Sequence, residues 1–446
     1  MAARASRLAP LHRPPLCRRL ATTTSSSPPP ASDAAGPLAG IRILEMGQLI
    51  AGPYCGQLLA HFGADVIKLE PPGVGDPLRV WRELDPEDGV SPWFRSLARN
   101  KRSVTCDLRQ EEGRRIARRL AEGCDVLIEN FKPGTLERWG LGPSDLHPVN
   151  PSLIFTRISG YGQTGPMREE PGFAAVCEGF GGFRFVNGAV DSSGQLSGAP
   201  IRPNISLGDS LAGLHAAFGT VMALLARGKV KPGEKSGQTV DVAIYEAVLS
   251  MMEGLIPAYS RTGAIRGPSG AGVTGIVPTS AFPTSEPSQH VIIGGNGDSI
   301  YARLMTAIGR QDLVGERYAN NSARVAHQAE IEGAISEWTS RYTVDEVLAT
   351  MREARVPAGR INDVAHLVAD PHVQARGMVE RVPFYSERLG KGWEIDMPGV
   401  SPVLERGGQG TRWAGKDLGE DNEAMLGGEL GVSQEEMQAL REKGVI

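Results

Sequence analysis

The sequence predicts an α/β protein with a Rossmann-like large domain, built on a mostly parallel sheet, and a smaller α/β domain. Three observations lead to this prediction. The chain has 446 residues, enough for two or three domains with buried cores. From residue 38 onward, strand-like and helix-like segments alternate. Single helices between strands imply right-handed crossovers and a parallel sheet covered on both faces.

The first 36 residues differ in composition from the rest of the chain. They contain five arginines and no acidic residue before Asp33, followed by a Thr/Ser run and Pro28-Pro29-Pro30. This composition is typical of a transit peptide, although a disordered basic tail would share it. We expect residues 1–36 to be a mitochondrial transit peptide, processed near Arg18-Arg19-Leu20, and the protein to be in the matrix.

The large domain is predicted over residues 37–262, and the chain returns to it over 351–446. Its predicted strands are Ile41–Glu45, Ala64–Leu69, Ser103–Cys106, Cys124–Ile128 and Leu153–Ile158, and its first helices are Pro53–Phe62 and Glu111–Ala121. Thr239–Met252 is predicted as a strand followed by a helix, and the C-terminal helix has Ser433 and Glu436 as a capping box. The smaller domain, 263–350, is predicted to contain a strand at His290–Ile293 and a long helix at Ala326–Trp338.

Composition and motifs exclude several classes of function. A net charge of −4 argues against nucleic acid or an anionic membrane as the main partner, and no run of roughly 20 apolar residues predicts a membrane span. The five cysteines form no CxxC pair and the histidines no HxxxH cluster, so we expect neither a disulfide framework nor a metal site. No G-x-G-x-x-G follows a strand, which disfavours nicotinamide and flavin cofactors.

Residues after the predicted strand ends are candidates for ligand binding, because open α/β sheets bind ligands at the carboxyl ends of their strands. The segment Glu129–Arg138 offers an amide, an aromatic ring and two cations in Asn130, Phe131, Lys132 and Arg138. This mixture suits a phosphorylated adenosine, with a ring for stacking and cations for the phosphates.

Asp209 precedes a helix whose apolar residues recur at helical spacing from Leu211 to Leu225. We therefore expect Asp209 at the N-cap, where the helix dipole favours an ionised carboxylate. An ordinary capping role explains this position, and so does a nucleophile for an activated acyl group.

Several motifs in sequential order resemble the class III CoA-transferase family, from about residue 37 to the C-terminus. They are Ala51-Gly-Pro53, Gly63–Glu70, Asn100–Ser103, Glu129–Gly134, Ser159–Pro166 and Gly208-Asp209. The family includes formyl-CoA, carnitine and succinyl-CoA:dicarboxylate transferases.

The resemblance implies that Asp209 attacks an acyl-CoA thioester and passes through a mixed anhydride and an aspartyl-CoA thioester. It implies CoA contacts at Ile50, Ala51, Asp107, Arg109, Asn130, Phe131, Lys132 and Arg138, and oxyanion donors in the glycine-rich loop Gly267–Gly275. It also implies that CoA and acyl-CoA are substrates, that no cofactor is permanently bound, and that two subunits interlock as a homodimer.

Three positions distinguish branches of the family. Ile50 stands where formyl-CoA transferases have glutamine, and Pro71 where they have arginine, which argues against formate and oxalate. Phe173 stands where racemases of the superfamily have a catalytic histidine, and a racemase needs a second acid/base there.

We therefore expect CoA transfer from succinyl-CoA to a short dicarboxylate such as glutarate. The second carboxylate of that acceptor would need a cation, and Arg168, Arg184 and Arg202 are candidates. The alternatives are a 2-methylacyl-CoA racemase and a catalytically silent CoA-binding protein.

Overall fold

The computed structural model, which describes residues 36–191, 193–231, 236–407 and 410–446, is centred on a six-stranded parallel sheet. Its strand order is β3-β2-β1-β4-β5-β6. The strands are β1 Arg42–Glu45, β2 Asp65–Glu70, β3 Lys101–Thr105, β4 Val126–Glu129, β5 Ile154–Ser159 and β6 Thr239–Ala243. The predicted mostly parallel sheet is confirmed. The predicted leader, apart from Gly36, lies outside the described residues.

Helices cover both faces of this sheet. The α-helices between Ala51 and Thr262 are α1 Ala51–His61, α2 Pro92–Leu97, α3 Glu111–Glu122, α4 Thr135–Arg138, α5 Pro143–Leu146, α6 Ala174–Phe180, α7 Phe183–Val186, α8 Leu207–Arg227, α9 Ile244–Ser250 and α10 Leu255–Thr262. Alternate strand residues enter two separate apolar cores: Leu44 and Ile67 face one, while Ile43 and Val66 face the other. Burial on both faces explains why these strands are almost continuously apolar.

A second, antiparallel sheet of three strands has its own apolar core. Its strands are β7 Thr279–Pro283, β8 His290–Gly294 and β9 Ala358–Arg360, and its helices are α11 Asp298–Ala307, α12 Asn321–Ala326, α13 Gln328–Thr339 and α14 Val344–Glu353. The expected single helix Ala326–Trp338 is wrong at its start, because His327, with φ −119° and ψ 22°, separates α12 from α13.

The remaining chain forms α15 Val364–Ala369, α16 Pro371–Ala375, a hairpin of β10 Val379–Ser386 and β11 Lys391–Pro398, a π-helix Glu423–Glu429, and α17 Gln434–Glu442. Met425, Leu440 and Val445 pack into the same core as Leu44 of β1. Ser433 caps α17 by accepting a hydrogen bond from the Glu436 N–H at 3.1 Å. The domain boundaries at 262 and 350 stay predictions.

Helix α8 is long and apolar enough to cross a membrane, judged by length and composition. This corrects the expectation that the chain has no such stretch. It is weak support for a membrane span, since the core helix of a soluble protein passes the same test. One face of α8 packs on α1, β5 and β6.

Candidate active site

A cavity of about 320 Å³ lies where the strand order reverses, between β1 and β4. The chain leaves β1 toward one edge of the sheet and β4 toward the other, so the loops that follow these strands diverge and leave a crevice. The cavity is lined by residues from both loops and from four later segments, namely Gln48, Leu49, Ile50, Ala51, Asn130, Phe131, Lys132, Pro133, Ile158, Ser159, Gly160, Glu170, Pro171, Gly172, Phe173, Asp209 and Ile244.

Asp209 lines this cavity from the first turn of α8. The helix begins at Leu207 and its N-cap is Ser206, so the expectation that Asp209 is the N-cap is wrong; it is the third helical residue. The Ser206 carbonyl already accepts the Ser210 N–H at 3.0 Å, which places the helix start earlier. Ser206 and Asp209 have the spacing of a capping box, a signal present in the sequence.

The carboxylate of Asp209 is less acidic than an ordinary aspartate. Burial and, to a smaller extent, the negative charge of Glu178 raise its pKa to about 6, against the opposing effect of Arg202. The helix dipole was expected to lower the pKa of Asp209, and this effect is outweighed by desolvation and by the charge of a second carboxylate. A group with this pKa is still mostly ionised at pH 7.

Glu178 lies beneath Asp209 and is fully buried on α6. One of its oxygens accepts the Gly208 N–H of α8 at 3.2 Å. The other accepts a hydrogen bond from Nε of Arg184 at 3.1 Å and lies 3.3 Å from Nε of Arg202. Two guanidinium groups thus compensate a carboxylate that would be costly to bury alone.

The loop after β1 is held in place from two sides. The Asn130 side chain accepts the Gln48 N–H at 2.9 Å and donates to the Gln48 carbonyl at 2.8 Å, which joins the two loops across the crevice. Asp76 accepts the Leu49 N–H at 3.0 Å, and Leu49 has φ +63°, an unusual conformation for a leucine. These contacts fix the backbone that leads into Ile50 and Ala51.

Six buried charges, which we call the strand-end cluster, lie under this loop: on β1, on β2 and the turn that follows it, and at the start of β3. They are Glu45, Lys68, Glu70, Asp76, Arg79 and Lys101. Lys68 pairs with Glu45 at 3.1 Å and with Asp76 at 2.8 Å. Lys101 pairs with Glu45 at 2.6 Å, and Arg79 with Glu70 at 2.8 Å. Three positive and three negative groups balance one another, and Lys68 also donates to the Gly47 carbonyl at 2.9 Å, which ties the cluster to the loop.

Close packing of α8 on α1 brings Asp209 beside Ala51. A Cβ atom at Gly213 would lie 2.7 Å from the Ala51 carbonyl oxygen and 3.0 Å from the Tyr54 ring. A real Cβ does not approach a backbone oxygen so closely, so the glycine sets the separation of the two helices.

The predicted ligand contacts fall into two groups. Ile50, Ala51, Asn130, Phe131 and Lys132 line the cavity together with Asp209. Asp107, Arg109 and Arg138 do not line it. Asp107 follows β3, where a bidentate pair with Arg109, at 2.8 and 3.0 Å, lowers its pKa. Arg138 ends the short helix α4 and donates to Thr135 at 2.9 Å. Both positions follow carboxyl ends of strands in the same sheet, so an extended ligand could reach them; their role stays a prediction.

Three other expectations concern the surroundings of Asp209. Phe173 lines the cavity and offers no group that titrates. The loop Gly267–Gly275 does not line this cavity; Gly267, Gly272 and Val273 line a separate pocket with Phe183 and Met252. Its role as an oxyanion donor stays a prediction. Of the three candidate arginines, Arg184 and Arg202 reach Glu178, whereas Arg168 pairs with the neighbouring Glu169 at 3.2 Å.

Sequence reasoning missed Glu178 and the strand-end cluster. Each nevertheless has a signal, a charged residue among apolar neighbours: Glu178 within Ala174–Phe180, and Lys68 between Ile67 and Leu69. Among the described residues no group of three or more His, Cys, Asp or Glu side chains could hold a metal ion. The four described cysteines are buried and unbridged.

Comparison with known proteins gives consistent matches. The family model described as CoA-transferase family III matches residues 38–422. A succinyl-CoA–D-citramalate CoA-transferase of Chloroflexus aurantiacus is 43% identical over 411 residues, which cover 92% of this chain and 98% of that protein. A succinate–glutarate CoA-transferase of Agrobacterium fabrum is 34% identical over 348 residues, covering 77% and 84%. The crystal structure of a CAIB/BAIF family protein from Brucella suis superposes with a TM-score of 0.76 at 31% identity, covering 88% of this chain and 99% of that one.

Proposed function

The chain belongs to CoA-transferase family III and is a CoA-transferase, and on that premise we propose that it moves CoA from succinyl-CoA to a short dicarboxylic acid such as glutarate, with Asp209 as the nucleophile. The observation that carries the proposal is the position of Asp209 in the cavity at the sheet's reversal point, beside Ile50, Ala51 and Asn130. The names of the relatives support the substrate class, since they pair succinyl-CoA or succinate with citramalate, malate, glutarate and mesaconate.

The proposed reaction has two symmetrical halves. An Asp209 oxygen attacks the thioester carbonyl carbon, a C–O bond forms, the C–S bond breaks and the CoA thiolate leaves. The thiolate then attacks the Asp209 carbonyl carbon of the anhydride and expels the donor carboxylate, which leaves an aspartyl-CoA thioester. The acceptor carboxylate repeats these steps in reverse order and restores Asp209. No proton is consumed, so the nucleophile needs no separate base.

The negative charge that develops at each carbonyl needs stabilisation. The N-terminus of α8 carries the positive end of the helix dipole at Asp209. Phe173 supplies no acid or base at the cavity wall, which argues against racemisation through a second proton-transferring group.

Trapping tests the nucleophile. Incubation with succinyl-CoA followed by hydroxylamine should convert Asp209 to a hydroxamate that mass spectrometry locates in its peptide. Asp209→Asn should abolish both trapping and transfer to glutarate while CoA binding, measured by calorimetry, is retained. A hydroxamate on another residue, or undiminished transfer by the variant, would refute the proposal. Transfer to none of a panel of dicarboxylic acids would support a silent CoA-binding protein instead.

We further propose that the protein functions as a homodimer. Leu214, Phe218, Met222 and Leu225 lie on one face of α8 at helical spacing, and each is more than 40% exposed in the single chain. Contiguous apolar surface of this kind usually marks an interface. The family resemblance, which implies interlocked subunits, supports the same proposal.

Mitochondrial targeting by residues 1–36 is also a proposal. Its support is the arginine-rich, acid-free composition of this segment and the start of the family match at residue 38. Fused to a fluorescent protein, residues 1–36 should direct it to mitochondria, and replacing Arg4, Arg7, Arg13, Arg18 and Arg19 by Gln should abolish import. Unchanged import of the Gln variant would contradict the proposal.

A further inference from the structure

Glu178 and its two arginines form an unequal charge cluster beside Asp209. The carboxylate is 0% exposed, whereas the side chain of Arg184 is 23% exposed and that of Arg202 is 37% exposed. The anion is therefore sealed inside the protein while both cations reach toward solvent. One carboxylate against two guanidinium groups leaves an excess of one positive charge.

The arginines use only part of their hydrogen-bonding capacity on Glu178. A guanidinium group has five N–H donors, and the contact with Glu178 is through Nε in each case. Within the described residues, the terminal nitrogens of Arg184 and Arg202 make no other hydrogen bond. A terminal guanidinium edge is suited to bidentate binding of a carboxylate.

Asp209 completes the charge balance of this cluster. Ionised Asp209 and Glu178 together match Arg184 and Arg202, so the four groups sum to zero in the free enzyme. The sum becomes +1 when Asp209 is acylated, because the aspartyl thioester is neutral. The attraction for an anion is therefore greatest in the intermediate that the acceptor acid must meet.

We infer that Arg184 and Arg202, positioned by Glu178, bind the second carboxylate of the acid substrate and so select dicarboxylic over monocarboxylic acids. This inference rests on the proposed function of Asp209. The same excess charge would attract the free carboxylate of a bound succinyl group in the donor half-reaction.

Paired acceptors provide the test. Glutarate and pentanoate have the same chain length, and pentanoate lacks only the second carboxylate. In a ping-pong reaction the kcat/KM of the acceptor does not contain the donor half-reaction, so succinyl-CoA serves as donor for both acids. For Arg202→Gln and Arg184→Gln we expect kcat/KM with glutarate to fall about 10- to 100-fold more than that with pentanoate, the loss typical of a charge-assisted hydrogen bond. Any effect of these variants on Asp209 or Glu178 is common to both acids and cancels in the ratio of the two kcat/KM values.

Controls separate recognition from structure. Arg341→Gln removes an exposed arginine that pairs with Glu337 one helical turn away, and both acceptors should be unaffected. Arg202→Lys keeps the positive charge but lacks the planar guanidinium edge. Its preference for glutarate over pentanoate should therefore lie between that of the wild type and that of Arg202→Gln. Each variant should retain the CoA affinity of the wild type in calorimetry.

The outcomes are distinguishable. If kcat/KM fell equally with glutarate and pentanoate, so that their ratio stayed unchanged, the inference would be overturned. The proposed role of Asp209 as nucleophile would be unaffected by that result. The inference would also be overturned if Arg168→Gln lowered the ratio of kcat/KM with glutarate to kcat/KM with pentanoate and neither of the other two variants did so. If the wild type transfers CoA to no dicarboxylic acid, the proposed function itself fails.

Discussion

Asp209 combines two properties that usually oppose each other: partial burial, which raises the energy of its charged form, and a proposed role as nucleophile, which requires that form. Burial and the charge of Glu178 raise its pKa to about 6, against the opposing effect of Arg202. A carboxylate that is poorly stabilised as an anion is a better nucleophile than a fully solvated one.

The rate of acylation should therefore rise with pH through about 6 and become constant above about pH 7. Only the ionised carboxylate attacks, and a raised pKa moves its ionisation to higher pH. Single-turnover release of CoA thiol from succinyl-CoA, followed between pH 5 and 8, measures this profile. A midpoint near 4, the value of an ordinary aspartate, would contradict the assignment of a raised pKa.

At this scale, sequence reasoning found the residues that follow strands and missed those that are buried beneath them. Ile50, Ala51, Asn130, Phe131 and Lys132 were found because strand ends bind ligands whatever the tertiary packing, and family resemblance pointed to the same positions. Glu178 was not found, because its burial depends on α6 packing under α8, a contact between residues 30 positions apart. Asp209 was placed at the N-cap, three residues too early in its helix, because Ser206 was not considered as the cap.

Among the elements, the α1–α8 pair determines the width of the site. Gly213 allows the two helices to approach until Ala51 lies next to the first turns of α8. The separation of Asp209, the proposed nucleophile, from the residues expected to contact CoA therefore depends on a single position within α8.

Gly213→Ala should raise KM for succinyl-CoA and destabilise the protein by about 1–3 kcal/mol, the usual cost of overpacking. The added Cβ meets a backbone oxygen that can move only with α1. Gly333→Ala, in α13, is the matched control: its Cβ would meet nothing within 4 Å, and we expect a gain of up to about 1 kcal/mol from helix propensity. Urea unfolding and steady-state kinetics measure both effects. Equal behaviour of the two variants would show that the close approach has no consequence.

Most predicted elements of the large domain exist, with ends shifted by one to three residues. The hairpin β10–β11 was missed although Val382, Phe384, Ile395 and Met397 alternate with exposed residues. Proline and glycine interrupt both strands, which weakens the local strand signal. Only their mutual pairing, an interaction across the turn, makes them strands.

On the scale of the whole molecule, the strand order explains where the site lies. The alternation of segments predicted a parallel sheet, but the order β3-β2-β1-β4-β5-β6 depends on which edge each crossover joins. Local sequence patterns do not contain that information. Once the order is known, the reversal point between β1 and β4 gives the location of the cavity without reference to any side chain.

The exposed apolar face of α8 predicts the behaviour of the whole protein in solution. Phe218 is 64% exposed at the centre of this face. Sedimentation velocity should show a dimer for the wild type and for Phe218→Leu, and a shift toward monomer for Phe218→Asp, because an interfacial carboxylate would lose its hydration. A wild-type monomer at micromolar concentration would refute the proposed homodimer.

The strand-end cluster also constrains how this protein can diverge. Replacing Lys68 alone would leave Asp76 without its cationic partner and Glu45 with Lys101 only, and replacing Glu45 alone would leave Lys101 without its carboxylate partner in a buried site. Viable sequences should consequently change these positions in charge-neutral pairs. Across orthologues, the identities of these buried charges should therefore covary, while the loop that follows β1 and rests on them keeps its conformation.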